Sequence, residues 1–247
     1  MLRFASKSDK GLLRSQNEDA HCIIGGTDGS PLVLAVADGM GGHLAGDIAS
    51  QTAITVIRDN LARDPFNTDT QEAIDARLSE LVQTANDMIY EKSSKEPSCF
   101  GMGTTLIIAV IANGKLSLAH IGDSCAYYLR SGTMTKITTD HSYVEELVRI
   151  GSLTREEAAR HPKRNVITKV VGCDGKISAD LYWVDLQDDD RVLLCTDGLS
   201  KMLTESEITD AIVSSPDPDE ICNALIAKSN NKGGLDNITV LICINQP

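Results

Sequence analysis

Long apolar runs are missing from this sequence. Its longest apolar runs have only the length of a β-strand, and its first residues, MLRFASKSDKG, contain no apolar signal segment. A membrane-spanning helix needs about 20 predominantly apolar residues, and a secretory signal has an apolar core of its own. We therefore expect a protein that is neither secreted nor bound to a membrane. Internal repeats and low-complexity linkers are missing too, so we expect residues 1–247 to form a single domain.

Basic residues are scarce relative to acidic ones. Lys and Arg together number 23, against 35 Asp and Glu, which gives a formal net charge of −12. Such a chain repels a phosphate backbone, so we expect no nucleic-acid partner. Most of these acids are typical of a solvated surface, but several aspartates lie among apolar residues, where solubility does not explain them.

Cysteine pairs of the CxxC type are absent, and seven single cysteines are spread along the chain instead. Several lie inside apolar runs such as LLC and LIC, which predicts buried, reduced thiols and a cytoplasmic protein. Cys195 lies two residues before an aspartate, yet the Cys-x5-Arg phosphate loop of cysteine phosphatases is missing around it. The sequence therefore does not favour a catalytic cysteine.

Apolar patterning predicts strands and helices in an informative order. Short β-branched runs predict seven strands, at 32–37, 104–112, 116–121, 126–130, 180–186, 191–196 and 238–244. Helical periodicity predicts helices at 43–61, 71–92 and 143–150 and two more between 205 and 229. Strict βα alternation is broken, because several strands follow one another without a helix between them. We expect an α+β fold in which mostly antiparallel sheets form a sandwich with helices packed outside.

Four aspartates lie at the ends of predicted apolar strands. Asp38, Asp123 and Asp197 each follow a strand, within A-D-G, G-D-S and T-D-G, and Asp236 precedes the last strand. One such carboxylate alone is more often a turn residue or a helix cap. Four together are better explained by a cluster at one end of the sandwich, which would be strongly destabilising without a counter-charge. Because hard divalent cations bind oxygen ligands, the pattern predicts magnesium or manganese rather than structural zinc.

A glycine and an arginine accompany these acids. Gly39, directly after Asp38, leaves room for a backbone carbonyl to turn toward a cation, although a glycine here is also typical of a flexible connection. Arg14 lies shortly before Glu18 and Asp19, and its planar donor group suits phosphate oxygens. Alone, this segment would be interpreted as a surface ion-pair segment.

Ordered motifs along nearly the whole chain, from Gly11 to Val240, resemble those of bacterial type 2C, or PPM family, Ser/Thr phosphatases. The motifs occur in the family's order. They are RSQNED at 14–19, VADGMGGH at 36–43, GMGTT at 101–105, IGDS at 121–124, DHS at 140–142, HPKRNVITKVVG at 161–172, CTDGLS at 195–200 and GLDNITV at 234–240.

The resemblance implies a fold and a metal centre. The fold is a central antiparallel β-sandwich flanked by helices on both faces, and a binuclear Mn²⁺ or Mg²⁺ centre lies at one end of it. By the same resemblance, Asp38 bridges both metals and the Gly39 carbonyl binds one of them. Asp197 and Asp236 complete the coordination of the other metal.

Four further residues take roles by the resemblance. Asp19 is expected close to the metals, and Glu18 is expected to help through water. Asp123 matches the acid that binds a third, weaker metal in bacterial members of the family. Arg14 matches the residue that holds the substrate phosphate.

The implied reaction is direct hydrolysis of phosphoserine and phosphothreonine in proteins. Two metals lower the pKa of a bridging water and supply a hydroxide that attacks phosphorus in line, without a covalent enzyme intermediate. The expected partners are phosphorylated protein substrates and a bacterial Ser/Thr kinase whose action the enzyme opposes. We expect the chain to act as a monomer.

The sequence departs from the family pattern at two positions. Met40 stands where animal members carry a His proposed as general acid, so the leaving-group proton must come from another group, for which metal-bound water and His43 remain alternatives. Cys125 stands where many relatives have Arg, which removes a charge next to Asp123. The segment 141–172 corresponds to the family's flap, and its mixed charge is typical of a solvated helical hairpin.

Two other functions remain as alternatives. A two-metal phosphodiesterase or nuclease would also need clustered acids, but the net charge is wrong for a polyanionic substrate. A catalytically silent module that binds phosphoproteins would be expected to have lost a metal-binding acid, and the four main acids are all present.

Overall fold

Two antiparallel sheets form the centre of the fold in the computed structural model, which describes residues 1–27, 29–41, 45–68 and 70–246. The strands are β1 Leu2–Asp9, β2 Asp19–Gly25, β3 Leu32–Met40, β4 Gly103–Thr104, β5 Leu106–Ala112, β6 Lys115–Ile121, β7 Cys125–Arg130, β8 Thr133–Lys136, β9 Asp180–Asp185, β10 Arg191–Cys195 and β11 Ile238–Asn245. One sheet has the order β1-β11-β10-β7-β8 and the other β2-β3-β5-β6-β9, with β4 paired to β3. All of these pairings are antiparallel.

Helices cover the outer face of each sheet. They are α1 Ala45–Arg63, α2 Gln71–Lys95, α3 Tyr143–Arg149, α4 Arg155–Arg160, α5 Asp197–Ser200, α6 Glu205–Val213 and α7 Pro218–Asn231, with one 3₁₀ turn at Pro97–Cys99. Helix α1 packs on β3 and β2, and α7 packs on β1 and β11. No helix in the described ranges is both long and apolar enough to cross a membrane.

Three apolar layers hold the sheets and helices together. Between the two sheets, side chains such as Leu34 and Ile107 of one sheet meet Leu194 and Leu241 of the other, all fully buried. A second layer joins α1 and α2 to the six-stranded sheet, and a third joins α6 and α7 to the five-stranded sheet. Because strands of one sheet present alternate side chains to each face, both faces of both sheets become buried. The predicted α-β-β-α sandwich is confirmed.

Polar side chains begin several helices. Thr154 and Thr204 each form a capping box with the glutamate three residues later, Glu157 and Glu207, which satisfies the free N–H groups of α4 and α6. Asp217 caps α7, and Pro218 follows at its first position. These local signals explain why the two predicted helices between 205 and 229 begin where they do.

Candidate metal centre

The predicted carboxylates lie together at one end of the sandwich. Asp19 begins β2, Asp38 lies near the end of β3 and Asp123 lies in the turn between β6 and β7. Asp197 is the first residue of α5, directly after β10, and Asp236 lies just before β11. Four of these five acids, all but Asp19, line one cavity. One detail of the prediction was wrong: Asp38 does not follow its strand but lies within it, because β3 continues to Met40 through pairing with β4.

Asp19 and Asp38 occupy directly opposite positions on the antiparallel strands β2 and β3. Asp38 is partly open to the cavity, and its backbone is held by Thr105, whose hydroxyl accepts a hydrogen bond from the Asp38 N–H at 2.9 Å. Desolvation, together with the carboxylates of Asp19 and Asp197, raises the pKa of Asp38 well above its usual range. A cation beside Asp38 would relieve this unfavourable field.

Asp19 is almost fully buried, with 5% of its surface exposed. Its Oδ2 accepts hydrogen bonds from the hydroxyls of Thr196, at 2.9 Å, and Thr239, at 2.7 Å. Its Oδ1 has no partner within the described part of the chain. Burial raises the pKa of Asp19 to about 7 despite these two hydrogen bonds. The threonines orient Asp19 and leave one oxygen free toward the other acids.

Lys201 connects two further acids. Its ammonium donates to Oδ2 of Asp123 at 3.2 Å and to Oδ2 of Asp197, four residues earlier in the chain. The Oδ1 atoms of both acids are buried and have no partner among the residues that the structure covers. Burial and the neighbouring Asp197 raise the pKa of Asp123 to about 6, although Lys201 opposes the shift. Sequence reasoning missed Lys201, and its i, i+4 spacing from Asp197 was the available signal.

Arg14 forms an ion pair with Asp236, another predicted metal ligand. Its Nη2 lies 2.8 Å from Oδ2 of Asp236. Asn237, which sequence reasoning also missed, holds the segment that carries Arg14: its amide group donates to the carbonyls of Lys10 and Gln16 and accepts from the Glu18 N–H, all within 2.9 Å. The position of Arg14 therefore depends on Asn237, which is more than 200 residues away in the sequence.

Two glycines lie where a side chain would not fit. A Cβ at Gly39 would lie 2.0 Å from the carbonyl oxygen of Gly46, and a Cβ at Gly198 would lie 1.9 Å from that of Asn237. Both contacts are with backbone atoms, which cannot move aside cheaply. Glycine at these positions lets the strand ends that carry Asp38 and Asp197 approach their neighbours closely.

The donor set fits hard divalent cations. Every candidate ligand is an oxygen, and three buried carboxylate oxygens, Oδ1 of Asp19, Asp123 and Asp197, lack any other partner in the described ranges. No three Asp, Glu, His or Cys side chains of the described residues already surround a common point as metal ligands do. Instead, Lys201 and Arg14 supply positive charge to three of the acids. Metal binding at Asp236 would require its pair with Arg14 to rearrange, whereas Asp197 keeps Oδ1 free beside the contact of its Oδ2 with Lys201.

The cavity at this centre has a volume of about 1130 Å³ and extends under the predicted flap. Its wall includes Asp38 and Arg14 on one side and Val148 and Arg164 of the flap on the other. Within 141–172, the two short helices α3 and α4 contact each other. The segment is anchored at its far end, where Val171 pairs with Thr104 beside the acids.

The two departures from the family pattern have different structural outcomes. Cys125 is buried, and Lys136 lies nearby in an ion pair of 2.7 Å with Asp140, whose Oδ1 also accepts a weak hydrogen bond from the Cys125 thiol at 3.7 Å. Lys136 therefore supplies a positive charge close to Cys125. Met40 lines the cavity. His43 lies outside the described residues.

A sequence model of the family Protein phosphatase 2C matches residues 12–232. The match covers most of the chain and includes every predicted ligand except Asp236. The chain belongs to the protein phosphatase 2C family and is thereby a protein phosphatase. This confirms the resemblance inferred from the ordered motifs.

Named relatives and solved structures agree with this assignment. The serine/threonine phosphatase stp of Listeria welshimeri is 39% identical over 236 residues, which cover 96% of this chain and 93% of the relative. The structure of the S. agalactiae serine/threonine phosphatase is 34% identical with a TM-score of 0.92, covering 98% of this chain and 99% of that one. The catalytic domain of the phosphatase PstP, solved in complex with two manganese ions, is 36% identical with a TM-score of 0.85, covering 100% of this chain and 99% of that one.

Proposed function

We propose that this chain is a protein serine/threonine phosphatase that uses two divalent cations, Mn²⁺ or Mg²⁺, to hydrolyse phosphoserine and phosphothreonine. One observation carries the proposal: five aspartates at or next to the ends of separate strands meet at one end of the sandwich, and three of them have unpaired, buried oxygens. A fold gains no stability from such an arrangement unless a cation is bound. Relatives named serine/threonine phosphatases support the substrate class.

Four residues would hold the two cations. Asp38 would bridge them, the Gly39 carbonyl would bind one, and Asp197 and Asp236 would complete the other. When bound, such a pair of cations supplies a hydroxide nucleophile at neutral pH and neutralises charge on the phosphoryl group. Asp19 would stay beside the centre, kept in one orientation by its two threonine hydroxyls. Glu18, whose pKa is raised by burial, also lines the cavity and would take part through water.

Arg14 would bind the substrate phosphate. Its side chain is 49% exposed at the cavity wall and is held by Asp236 when no cation is present. Once Asp236 serves as a ligand, the planar guanidinium can turn its N–H groups to two phosphate oxygens. The same Arg14 thus neutralises a ligand before metal binding and the substrate after it.

Two further parts of the structure, the flap and the cysteines, bear on the substrate and on the cellular compartment of the enzyme. The flap at 141–172, with α3 and α4, would cover the cavity and contact the protein part of the substrate. All seven cysteines are unpaired and six are buried, which supports a reducing compartment, the cytoplasm. There the enzyme would oppose a Ser/Thr kinase.

Hydrolysis of a phosphothreonine peptide and of p-nitrophenyl phosphate tests the proposal. The purified chain is assayed with Mn²⁺, with Mg²⁺ and with EDTA, beside the Asp38→Asn variant. The matched control is Asp188→Asn, which removes an exposed carboxylate from a loop. We expect turnover that needs a metal, is abolished by EDTA and by Asp38→Asn, and is unchanged in the control.

A different result would separate the alternatives. Folded, metal-loaded protein without turnover on either substrate would contradict the proposal and favour the silent phosphoprotein-binding module. Circular dichroism of each variant establishes that the fold is intact.

A further inference from the structure

Lys201 is placed between two acids that would otherwise face each other. It directly follows the short helix α5, and its N–H donates to the carbonyl of Asp197 at 2.8 Å. Its ammonium contacts Oδ2 of both Asp123 and Asp197. One side chain thus joins the turn after β6 to the first residue of α5.

The two acids are buried, whereas the lysine reaches them from solvent. Asp123 is 5% exposed and Asp197 is 8% exposed, while the Lys201 side chain is 43% exposed. Lys136, which lines the same cavity, is already paired with Asp140. Two buried carboxylates this close together require a positive charge, and the Lys201 ammonium supplies it in a charge-assisted hydrogen-bonded geometry.

We propose that the Lys201 ammonium takes the place of a third divalent cation between Asp123 and Asp197, so that this chain binds two metal ions and not three. The inference rests on the proposed function, because it assumes the binuclear centre. It revises the expectation that Asp123 holds a third metal. A divalent ion at Asp123 would have to displace the ammonium and then lie next to it, and like charges in a desolvated site repel strongly.

The position of Lys201 makes its displacement costly. Its backbone is fixed by the α5 turn, and its i, i+4 spacing from Asp197 places the ammonium within reach of that carboxylate. The ammonium is the counter-charge for both acids, so the repulsion between Asp123 and Asp197 is reduced whether or not metal is abundant. We infer that Lys201 keeps Asp123 in position as a fixed cation.

Counting bound Mn²⁺ tests this inference without reference to turnover. Mn²⁺ that remains free is measured by electron paramagnetic resonance during titration of the wild-type chain and of Asp123→Asn, Lys201→Arg and Lys201→Met. The matched control is Lys232→Met, which removes a surface lysine paired with Glu207. We expect two ions per chain at millimolar Mn²⁺ in the wild type, in Asp123→Asn, in Lys201→Arg and in the control.

The Lys201→Met variant should differ from all of these. Without the ammonium we expect a third Mn²⁺ to bind, at least about tenfold more tightly than any third ion in the wild type, since a competing charge-assisted contact is worth on the order of one decade or more. Adding Asp123→Asn to Lys201→Met should remove that third ion again. If Lys201→Met is too unstable to titrate, the number of ions bound by the wild type compared with Asp123→Asn still tests the inference.

The outcomes distinguish this inference from the proposed function. Three ions in the wild type, with one lost in Asp123→Asn, would overturn the role of Lys201 and leave the binuclear centre intact. Two ions in Lys201→Met, in folded protein, would overturn it as well. No Mn²⁺ bound to any variant would contradict the proposed metal centre itself.

Discussion

Asp19 and Asp38 lie directly opposite each other on neighbouring antiparallel strands, β2 and β3, with desolvated carboxylates. Like charges at opposite positions of a sheet are destabilising. The surrounding fold tolerates the pair because Thr196 and Thr239 bind Asp19 and because abundant apolar packing stabilises the sandwich. The pair lowers the stability of the metal-free fold, and it contributes to a site that can hold cations.

The metal-free protein should lose stability as the pH rises. The pKa of Asp19 is raised to about 7 and that of Asp123 to about 6, against 3.8 for an ordinary aspartate. Between roughly pH 4 and pH 7 the folded state therefore binds more protons than the unfolded state, and each group lowers the free energy of unfolding by up to about 1.4 kcal/mol per pH unit. Thermal unfolding in chelator-treated buffer from pH 5 to pH 8 measures this.

The same acids predict the opposite trend for metal binding, because carboxylates must be deprotonated to act as ligands. Mn²⁺ affinity should rise over the same pH range. The Asp19→Asn variant should flatten the stability profile of the metal-free protein. A melting temperature that increases from pH 5 to pH 8 without metal would contradict the prediction.

Replacing Arg14 should weaken binding of the phosphate. A hydrogen bond to a charged group contributes about 1.5–3 kcal/mol, so we expect Arg14→Ala to lower kcat/KM for a phosphothreonine peptide about 10- to 100-fold. Arg14→Lys should recover only part of this, because an ammonium cannot bind two oxygens with a planar donor group. Steady-state kinetics and inhibition by inorganic phosphate provide the measurements.

An exposed arginine of α1, Arg63, offers a matched control for charge. Arg63→Ala should leave kcat/KM within experimental error of the wild type. Equal losses in the two variants would indicate a general electrostatic effect and not a phosphate contact.

Asn237→Ala should loosen the segment that carries Arg14. The variant loses three hydrogen bonds between the Asn237 side chain and the backbone of Lys10, Gln16 and Glu18. We expect the free energy of unfolding to fall by about 2–3 kcal/mol, because each such bond contributes about 1 kcal/mol. Urea denaturation measures the loss. The control is Asn245→Ala, which removes a single side-chain hydrogen bond to Gln187, and a loss as large there would contradict the argument.

Gly39→Ala should damage both stability and metal binding. The added Cβ would lie 2.0 Å from a backbone oxygen of Gly46, so the end of β3 must shift, at a cost of about 3 kcal/mol. Denaturant unfolding and Mn²⁺ titration report the two effects. Gly132→Ala is the comparison, because Gly132 has a φ of +79° but open space around it. Because Gly39 has no positive φ, a loss at Gly39→Ala that is no larger than the loss at Gly132→Ala would contradict the argument from close approach.

The central strands were predictable from the sequence, and most edge strands were not. Strands β3, β5, β6, β10 and β11 are buried on both faces and read as continuous apolar runs. The missed strands β1, β2 and β8 all lie at sheet edges. Edge strands carry polar and charged residues, as the half-buried LRFASKSD of β1 shows, so their apolar alternation is weak.

The identity of the acidic residues, their position at strand ends and the ordered motifs were determined by the sequence alone, because carboxylates inside apolar surroundings stand out locally. Only the tertiary structure decided which groups meet. Asp19 receives a hydrogen bond from Thr239, 220 residues away, and Lys201 reaches Asp123, 78 residues away. Spacing along the chain cannot predict such contacts, since they depend on the register of the sheets and on how the strand ends are brought together when the two sheets pack.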